Sequence, residues 1–253
     1  MKLVVLATYS STTWMMVNAL IEDYPSLHVV IESPISRLVL LRKRMARIGV
    51  VKVVGQVFFM LYLPILKHVS AKRIRSLVTS ADLSAQLPTN VSVVNFNSVN
   101  SQECIEWLHN EQPSVVILNG TRIVSSELLA SCNAVFLNTH CGITPAYRGV
   151  HGGYWALVRG DKYNVGVTIH LVDAGVDTGS VVYQETIKVD EQDNFCTYPV
   201  KQYIAGIPLM KRAVANVFSG NLRTYRREDL ISKIWYQPTL WQYWWTRLRH
   251  SVR

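Results

Sequence analysis

Residues 136–184 read FLNTHCGITPAYRGVHGGYWALVRGDKYNVGVTIHLVDAGVDTGSVVYQ and contain two apolar strands with polar residues at their ends. The first strand runs into Asn138 and His140, whose side chains leave the same face of an extended backbone because they are two residues apart. Residues 165–172 predict the second strand, and Asp177 follows it in a turn between two glycines. The two strand ends and the turn therefore offer an amide, an imidazole and a carboxylate.

This set of three groups suits acyl transfer to an amine. The amide and an imidazolium can donate hydrogen bonds to the oxyanion that develops on the attacked carbonyl. The carboxylate can keep the imidazole charged and accept a proton from the attacking nitrogen, directly or through water. Taken singly, each group also has an ordinary structural interpretation, since an aspartate between glycines is usually a turn residue stabilised by its own backbone.

The order of the motifs resembles the formyltransferase superfamily: Asn-x-His, a proline, an aromatic residue before Arg-Gly, and later His-x6-Asp-x-Gly. Members include glycinamide ribonucleotide, methionyl-tRNA and nucleotide-amino-sugar formyltransferases. The resemblance covers most of residues 3–184 and is densest from Val115 onward. It implies 10-formyltetrahydrofolate as the formyl donor and identifies Asn138, His140 and Asp177 as catalytic residues.

The resemblance also assigns residues to the folate donor. The loop after a buried strand at 115–118 lines the pterin pocket, largely through its backbone, and the loop after the second strand faces the folate. His170 resembles a second histidine of the purine-type branch, although an apolar strand can also hold a histidine in its core. The assigned residues are Arg122, Ile123, Val124, His170, Leu171, Val172 and Asp173.

The first turn of the chain is a candidate for binding an anionic acceptor. In the purine-type branch this turn is rich in glycine and holds the substrate phosphate at a helix N-terminus. Here it reads TYSSTT, so hydroxyls and backbone amides can receive a phosphate, or a serine can simply cap the helix. The candidate acceptor-binding residues are Ser10, Ser11, Thr12, Arg148 and His151, the last two being alternatively solvent-facing.

The alternation of strands and helices up to Asn138 predicts an α/β fold with an open, mainly parallel, Rossmann-like sheet. Ligands of such sheets lie beyond the carboxyl ends of the strands. We expect a third strand at 91–94, a helix from Gln102 to about Asn110 that is capped by Asn100, and partly antiparallel strands after residue 165.

The domain organisation has two unusual parts. Residues 1–220 are expected to form the catalytic domain, which includes a basic insertion at 35–87 with two or three helices. Its apolar run at 53–66 is too short to span a bilayer. Residues 221–253 form a basic, aromatic extension with four of the seven tryptophans.

Several roles are left open for these parts. The insertion can be a lid or substrate platform, a surface for anionic lipid, or a solvated basic face. The extension can stack a nucleotide base, contact a membrane peripherally, or pack on the domain or on a second copy in a homodimer.

Composition narrows the compartment and the partners. The formal net charge of +9 suits an anionic partner such as a nucleotide-linked sugar, a phosphate, a nucleic acid or a membrane face. Four cysteines without a C-x-x-C pair read as free thiols in a reducing compartment, and no secretory signal is expected, so a cytoplasmic location is predicted. The histidines lack a set of further ligands around them, so no metal is expected.

The sequence therefore predicts an N-formyltransferase whose acceptor is a small anionic amine, preferably a nucleotide-linked amino sugar, with no nucleic-acid partner. Glycinamide ribonucleotide is the close alternative, supported by His170 but weakened by the first turn. Methionyl-tRNA is less favoured because a second C-terminal domain of the expected size is not evident. A formyltetrahydrofolate hydrolase and a non-catalytic membrane-surface module are further alternatives.

Overall fold

The computed structural model describes residues 2–36 and 44–253. The strands, in chain order, are β1 (Leu3–Ala7), β2 (His28–Glu32), β3 (Ser92–Phe96), β4 (Val115–Asn119), β5 (Val135–His140), β6 (Arg148–Gly149), β7 (Gly166–Leu171), β8 (Val181–Thr186) and β9 (Ile234–Trp235). The helices are α1 (Ser11–Ile21), α2 (Val50–Ser80), α3 (Gln102–Glu111), α4 (Ser126–Leu129), α5 (Gly152–Val158), α6 (Tyr198–Phe218) and α7 (Leu240–His250). Residues 44–48 are also helical.

Seven strands form one sheet in the order β3-β2-β1-β4-β5-β7-β8. The first five are parallel, and β7 and β8 continue the sheet with antiparallel pairing. The strands β1 and β4 are buried along their whole length, as expected for central parallel strands that are covered on both faces. The predicted α/β fold with an open, mainly parallel sheet is confirmed.

The helix α3 has nearly the predicted bounds, but its predicted cap is wrong. The hydroxyl of Ser101, not Asn100, accepts the hydrogen bond from the backbone N–H of Cys104. The side chain of Asn100 instead donates to the carbonyl of Ile123 and accepts from the N–H of Ser125. Asn100 therefore fixes the loop after β4 rather than the helix.

The insertion at 35–87, expected to hold two or three helices, consists mostly of one long helix in its described part. Residues 37–43 lie outside the described part of the chain, and residues 50–80 form the single 31-residue helix α2. The apolar run at 53–66 is thus the middle of a much longer helix. By length and composition alone, α2 is long and apolar enough to cross a membrane.

The C-terminal extension packs on the domain. The strand β9 pairs with β6, and α7 lies against α2, where the ring of Tyr243 is fully buried against Phe59 at a centroid distance of 5.2 Å. Phe59 also meets Phe195 at 4.9 Å. These contacts agree with the interpretation of the extension as a part packed on the domain.

Candidate active site

The ends of β5 and β7 and the turn after β7 bring four polar side chains together. Asn138 lies opposite His170 in the antiparallel register of the two strands. His140 is two residues further along β5 and shares its face. Asp177 adopts φ 51°, a left-handed conformation that aspartate and asparagine tolerate better than most residues. The three predicted catalytic residues are therefore neighbours, and His170 joins them.

Asp177 is the centre of this cluster. Its Oδ2 lies 3.4 Å from Nδ1 of His140 and accepts a hydrogen bond of 2.8 Å from the backbone N–H of Gly149. Its Oδ1 lies 3.6 Å from Nε2 of His170 and 3.5 Å from Nδ2 of Asn138. The Nδ2 of Asn138 also lies 3.0 Å from Nε2 of His170. One carboxylate thus faces two imidazoles and one amide.

The hydrogen bonds of His140 determine which ring nitrogen carries the proton. Its Nε2 lies 2.7 Å from the carbonyl oxygen of Tyr147, which can only accept, so Nε2 is the protonated nitrogen. In the neutral ring, Nδ1 is then an acceptor that faces the carboxylate of Asp177. The Asp177–His140 pair therefore has a place for one additional proton between its two acceptors.

The protonation states follow from burial and from these neighbours. Burial lowers the pKa of His140 below its ordinary value, although the Asp177 carboxylate acts in the opposite direction. Burial alone would raise the pKa of Asp177, but His140, His170 and the hydrogen bond from the N–H of Gly149 together lower it to about 2. Near neutral pH the pair consists of an ionised Asp177 and a neutral His140.

A cavity of about 250 Å³ opens beside Asp177 and is lined in part by arginines. Arg148 is held there because its Nε donates to the carbonyl of Val176 and its Nη1 to the hydroxyl of Ser232, at 2.9 and 2.7 Å. The other arginines come from the C-terminal extension: Arg226 and Arg227. The cavity therefore offers positive charge within reach of the carboxylate.

Sequence reasoning did not assign the wall formed by residues 225–232 to the site. Tyr225 reaches it because its backbone bridges to Val181, at the start of β8. The run RTYRR, at 223–227, is the signal in the sequence for an anion-binding segment. From the sequence alone, this run is assigned to the C-terminal extension, with no position relative to the site.

The remaining predicted acceptor residues have structural contacts of their own. Ser10 is the N-cap of α1 and accepts from the N–H of Thr13, while its hydroxyl meets that of Thr12 at 3.0 Å. The Nε2 of His151 lies 2.8 Å from Oε1 of Gln237, and burial lowers the pKa of this histidine to about 4, against the effect of that hydrogen bond. The capping alternative for Ser10 is thus realised, and contact of these residues with an acceptor stays a prediction, as it does for Ser11.

The comparisons with known proteins agree with this geometry. The sequence profile described as formyl transferase matches residues 65–203, which is more than half of the chain. The chain belongs to the formyl transferase family.

The relatives with similar sequences include methionyl-tRNA formyltransferases. The chain is 26% identical over 146 residues to methionyl-tRNA formyltransferase of Chlorobium limicola, covering 58% of this chain and 46% of that protein. It thus spans about half the length of the curated relatives it matches.

Two solved structures share the fold. An N-formyltransferase from Helicobacter canadensis, in complex with folinic acid and dTDP-3-aminofucose, has a TM-score of 0.59 at 14% identity, over 93% of this chain and 70% of that one. A phosphoribosylglycinamide formyltransferase from Streptococcus pneumoniae has a TM-score of 0.55 at 21% identity, over 86% and 98%.

Arg122 has a partner that could not be identified from the sequence. Its side chain pairs with the buried carboxylate of Glu32 at the end of β2 and also donates to the carbonyls of Ser33 and Asn97, at 2.9 and 3.0 Å. The backbone N–H groups of Arg122 and Val99 donate to Glu32 as well. Arg122 therefore joins the carboxyl ends of β2, β3 and β4. These contacts restrain its side chain, so its predicted contact with the pterin is limited to the groups of Arg122 that they leave unbound.

We predict that Arg122→Ala lowers the free energy of unfolding by about 3 kcal/mol, because it leaves the Glu32 carboxylate buried without its countercharge. The value is at the lower end for such pairs, since two backbone N–H groups still bind Glu32. Urea unfolding followed by circular dichroism measures the change. Arg223→Ala, at an exposed arginine, is the matched control; equal stability of the two variants would contradict the prediction.

The other residues assigned to the folate donor lie in the loop after β4 and at the end of β7. Ile123 is exposed beside the buried Val124. Residues 171–173 lead from β7 into the turn that carries Asp177; the carboxylate of Asp173 accepts from the N–H of Gly175 and the hydroxyl of Thr178. Contact of these residues with folate stays a prediction.

The four cysteines are free thiols. Burial raises the pKa of Cys141, the neighbour of His140, to about 12, so its sulfur stays protonated and is a poor nucleophile. Within residues 2–36 and 44–253, no group of three or more His, Cys, Asp or Glu side chains is placed to hold a metal ion.

Proposed function

We propose that this chain is an N-formyltransferase that moves the formyl group of 10-formyltetrahydrofolate to the primary amine of a nucleotide-linked amino sugar. The observation that carries the proposal is the cluster of Asn138, His140 and Asp177 beside an arginine-lined cavity. The amide of Asn138 fits an oxygen on which negative charge develops, and the Asp177–His140 pair fits an amine that must lose a proton. The cluster therefore has a hydrogen-bond donor for the formyl oxygen and a proton acceptor for the amine.

Bound 10-formyltetrahydrofolate supplies the formyl group. Asn138 donates an Nδ2 hydrogen to the formyl oxygen while the amine attacks the formyl carbon. Asp177 accepts the amine proton, directly or through water, and shares it with Nδ1 of His140, where an acceptor already faces the carboxylate. The pair then gives this proton to the leaving nitrogen, so that no net proton is gained or lost.

His140 has a different part here from the one expected from the sequence. The sequence predicts an imidazolium that donates directly to the oxyanion. With Nε2 bound to the Tyr147 carbonyl and the pKa lowered by burial, we propose that His140 instead accepts part of the transferred proton. Asn138 is then the principal oxyanion donor in the cluster.

The acceptor is proposed from the charge of the cavity. Arg148 and Arg226 suit the phosphates of a nucleotide-linked sugar, because one guanidinium can bind two phosphate oxygens at once. Arg227 is already paired with Asp229 through Nε and Nη2, at 2.8 and 2.7 Å. The structural neighbour from Helicobacter canadensis is described with a dTDP-linked amino sugar, which supports the same class. Glycinamide ribonucleotide remains the alternative favoured by His170 and by the fold of the Streptococcus pneumoniae protein.

An acceptor assay tests the proposal. Purified protein is incubated with 10-formyltetrahydrofolate, and release of tetrahydrofolate is followed with no acceptor, with nucleotide amino sugars, with glycinamide ribonucleotide and with methionyl-tRNA. The expected result is release stimulated by an amino sugar, with a formylated product by mass spectrometry. Stimulation by another acceptor alone would replace the substrate class. Equal release in every tube would indicate a hydrolase, and no release in any tube would favour a non-catalytic binding module.

We also propose that the enzyme acts in the cytoplasm, where free thiols persist. The free state of all four cysteines supports this location. Fractionation of cells that express the tagged chain tests it: recovery in a secreted fraction would contradict the proposal.

The pH dependence of the reaction is expected to follow the Asp177–His140 pair. Above the pKa of the pair, Asp177 and His140 lack the shared proton and can accept one from the amine. Below that pKa the pair already holds the proton, so kcat/KM falls. Since burial lowers the pKa of His140 from its ordinary 6.5, the acid limb is expected to lie below pH 6.5. The profile is measured with an acceptor whose amine pKa is known, together with an NMR titration of the His140 ring. A ring titration above pH 6.5 would contradict the proposed proton acceptor.

A further inference from the structure

The helix α2 is apolar on two opposite faces. Its inner face is buried and includes Val53, Phe59 and Leu66. Its outer face carries large apolar side chains three or four residues apart, with 44–74% of each exposed: Val51, Val54, Phe58, Leu61, Ile65 and Val69. A helix on the surface of a soluble domain normally presents charged or polar residues there. The outer face of α2 is therefore an apolar stripe that is exposed to solvent.

The helix α7 presents a second stripe of the same kind. Trp241, Trp244, Trp245 and Leu248 follow the i, i+3, i+4, i+7 spacing of one helix face, and 39–81% of each side chain is exposed. Tyr243 and Thr246, on the opposite face, are buried. The capping box at Thr239 and Gln242 fixes the start of this helix, so the stripe has a defined orientation.

The two stripes join into one surface. The indole of Trp241 packs so closely on Gly55 of α2 that a Cβ added to this glycine would overlap the ring. Gly55 is one helical turn from both Val51 and Phe58 of the outer face. One turn further along, Trp244 meets Tyr62 at a centroid distance of 5.7 Å. We call the outer faces of α2 and α7 together the docking face.

The two segments that form the docking face carry charged side chains of one sign. The sequence has no aspartate or glutamate from residue 33 to residue 81, or from residue 230 to residue 253. Both helices instead carry exposed basic side chains: Lys52, Lys67, Lys72, Arg75 and Arg249. A second copy of the chain docking through this face would bring like charges together. Tryptophan beside arginine and lysine suits the headgroup region of an anionic bilayer, which is apolar inside and negative at its surface.

The inner contacts of α2 indicate how the helix would lie. Gln56 donates to the carbonyl of Gln237 at 2.7 Å, and Ser70 donates to Oδ1 of Asn194 at 2.9 Å. Arg73 pairs with Asp190 at 2.6 Å. If α2 left the domain to cross a bilayer, these polar groups would lose their partners in a medium that offers none. The helix therefore fits a position in the plane of the interface.

We propose that the docking face attaches this protein to an anionic lipid bilayer, with α2 and α7 lying along the headgroup boundary and their outer side chains inserted. Insertion of the apolar side chains provides the binding free energy, and the basic residues provide the preference for anionic lipid. The proposal is independent of the formyl-transfer reaction, since none of its residues belongs to the cluster around Asp177.

Vesicle flotation of the purified full chain tests the proposal. One set of vesicles is phosphatidylcholine alone and the other is phosphatidylcholine mixed with phosphatidylglycerol. We expect binding to the mixed vesicles that weakens as salt is added, because screening reduces the electrostatic part. The double variant Leu61→Gln/Leu248→Gln is expected to bind more than about tenfold less, since each leucine contributes apolar surface that leaves water.

The matched control is Tyr163→Gln/Ile231→Gln. Its two side chains are 90% and 89% exposed, against 69% and 81% for Leu61 and Leu248, so both double variants remove exposed apolar groups without entering the core. The control is expected to bind vesicles like the unaltered protein. Equal binding by all three proteins, or no binding to mixed vesicles at low salt, would overturn the proposal.

Two other occupants have distinct outcomes. If light scattering shows a dimer that the Leu61→Gln/Leu248→Gln variant converts to a monomer, and vesicles are not bound, the face is a homodimer interface and the proposal fails. If the vesicle-bound protein resists extraction with alkaline carbonate, α2 crosses the bilayer and the interfacial position is wrong. Release by carbonate is the expected result.

Discussion

Asp177→Asn is expected to lower the turnover of formyl transfer by about 10²–10⁴ while the fold persists. Asparagine has the same size and also tolerates the left-handed φ of 51° at this position. Its amide oxygen can still accept from the N–H of Gly149, so the turn keeps its anchor. What is lost is the negative charge and, with it, the place for a proton between Asp177 and His140. Single-turnover release of tetrahydrofolate measures the effect.

Asp82 provides a matched control for this substitution. It is an exposed aspartate with φ 53°, in the turn after α2, so Asp82→Asn makes the same chemical change in the same backbone conformation. We expect it to leave turnover unchanged. If Asp177→Asn works at near wild-type rates while retaining the circular dichroism of the unaltered protein, Asp177 is not the proton acceptor.

Features set by local pattern could be predicted from the sequence. The short, continuous apolar run of β4 predicts a buried parallel strand because such strands are covered on both faces. Asn138 and His140 share a face because successive side chains of a strand alternate between its two faces. Asp177 follows them in the chain, in the turn after the next long strand. The order of these motifs was enough to indicate both the fold and the cluster.

Features set by contacts between distant segments could not be predicted. Ser101 and Asn100 are both good caps, and the choice between them depends on the loop near Ile123, which binds Asn100. Arg122 depends likewise on Glu32, ninety positions earlier in the chain. The protonated nitrogen of His140 depends on the carbonyl of Tyr147, which reaches it only in the folded chain.

The helix α2 illustrates a different limit. Its apolar residues occupy both faces, so the sequence has little helical amphipathicity, and the insertion was expected to hold two or three helices rather than one of 31 residues. Period-based reasoning identifies a helix by its one apolar face and fails where a second face is apolar for another purpose. The helix whose length was not predicted is therefore the one whose outer face is proposed to meet a bilayer.

Asn138→Ala is expected to lower kcat by about 10²–10³, the usual effect of removing one donor to a developing oxyanion. One N–H of Nδ2 points to Nε2 of His170 at 3.0 Å, whereas the contact to Oδ1 of Asp177, at 3.5 Å, is long for a hydrogen bond. The second N–H is thus the one available to an oxyanion. Because this bond strengthens only as charge develops, KM for the acceptor is expected to change much less than kcat.

Two further variants separate the lost hydrogen bond from a lost side chain. Asn138→Asp keeps the size of the residue but places an acceptor where a donor is needed, so we expect it to be at least as impaired as Asn138→Ala. Asn221→Ala, in an exposed loop, makes the same truncation outside the cluster and is expected to be neutral. A proportional rise in KM with kcat unchanged would make Asn138 a binding residue instead. Near wild-type kcat in Asn138→Asp would show that no N–H from this position reaches the oxyanion, and the role would then pass to His140.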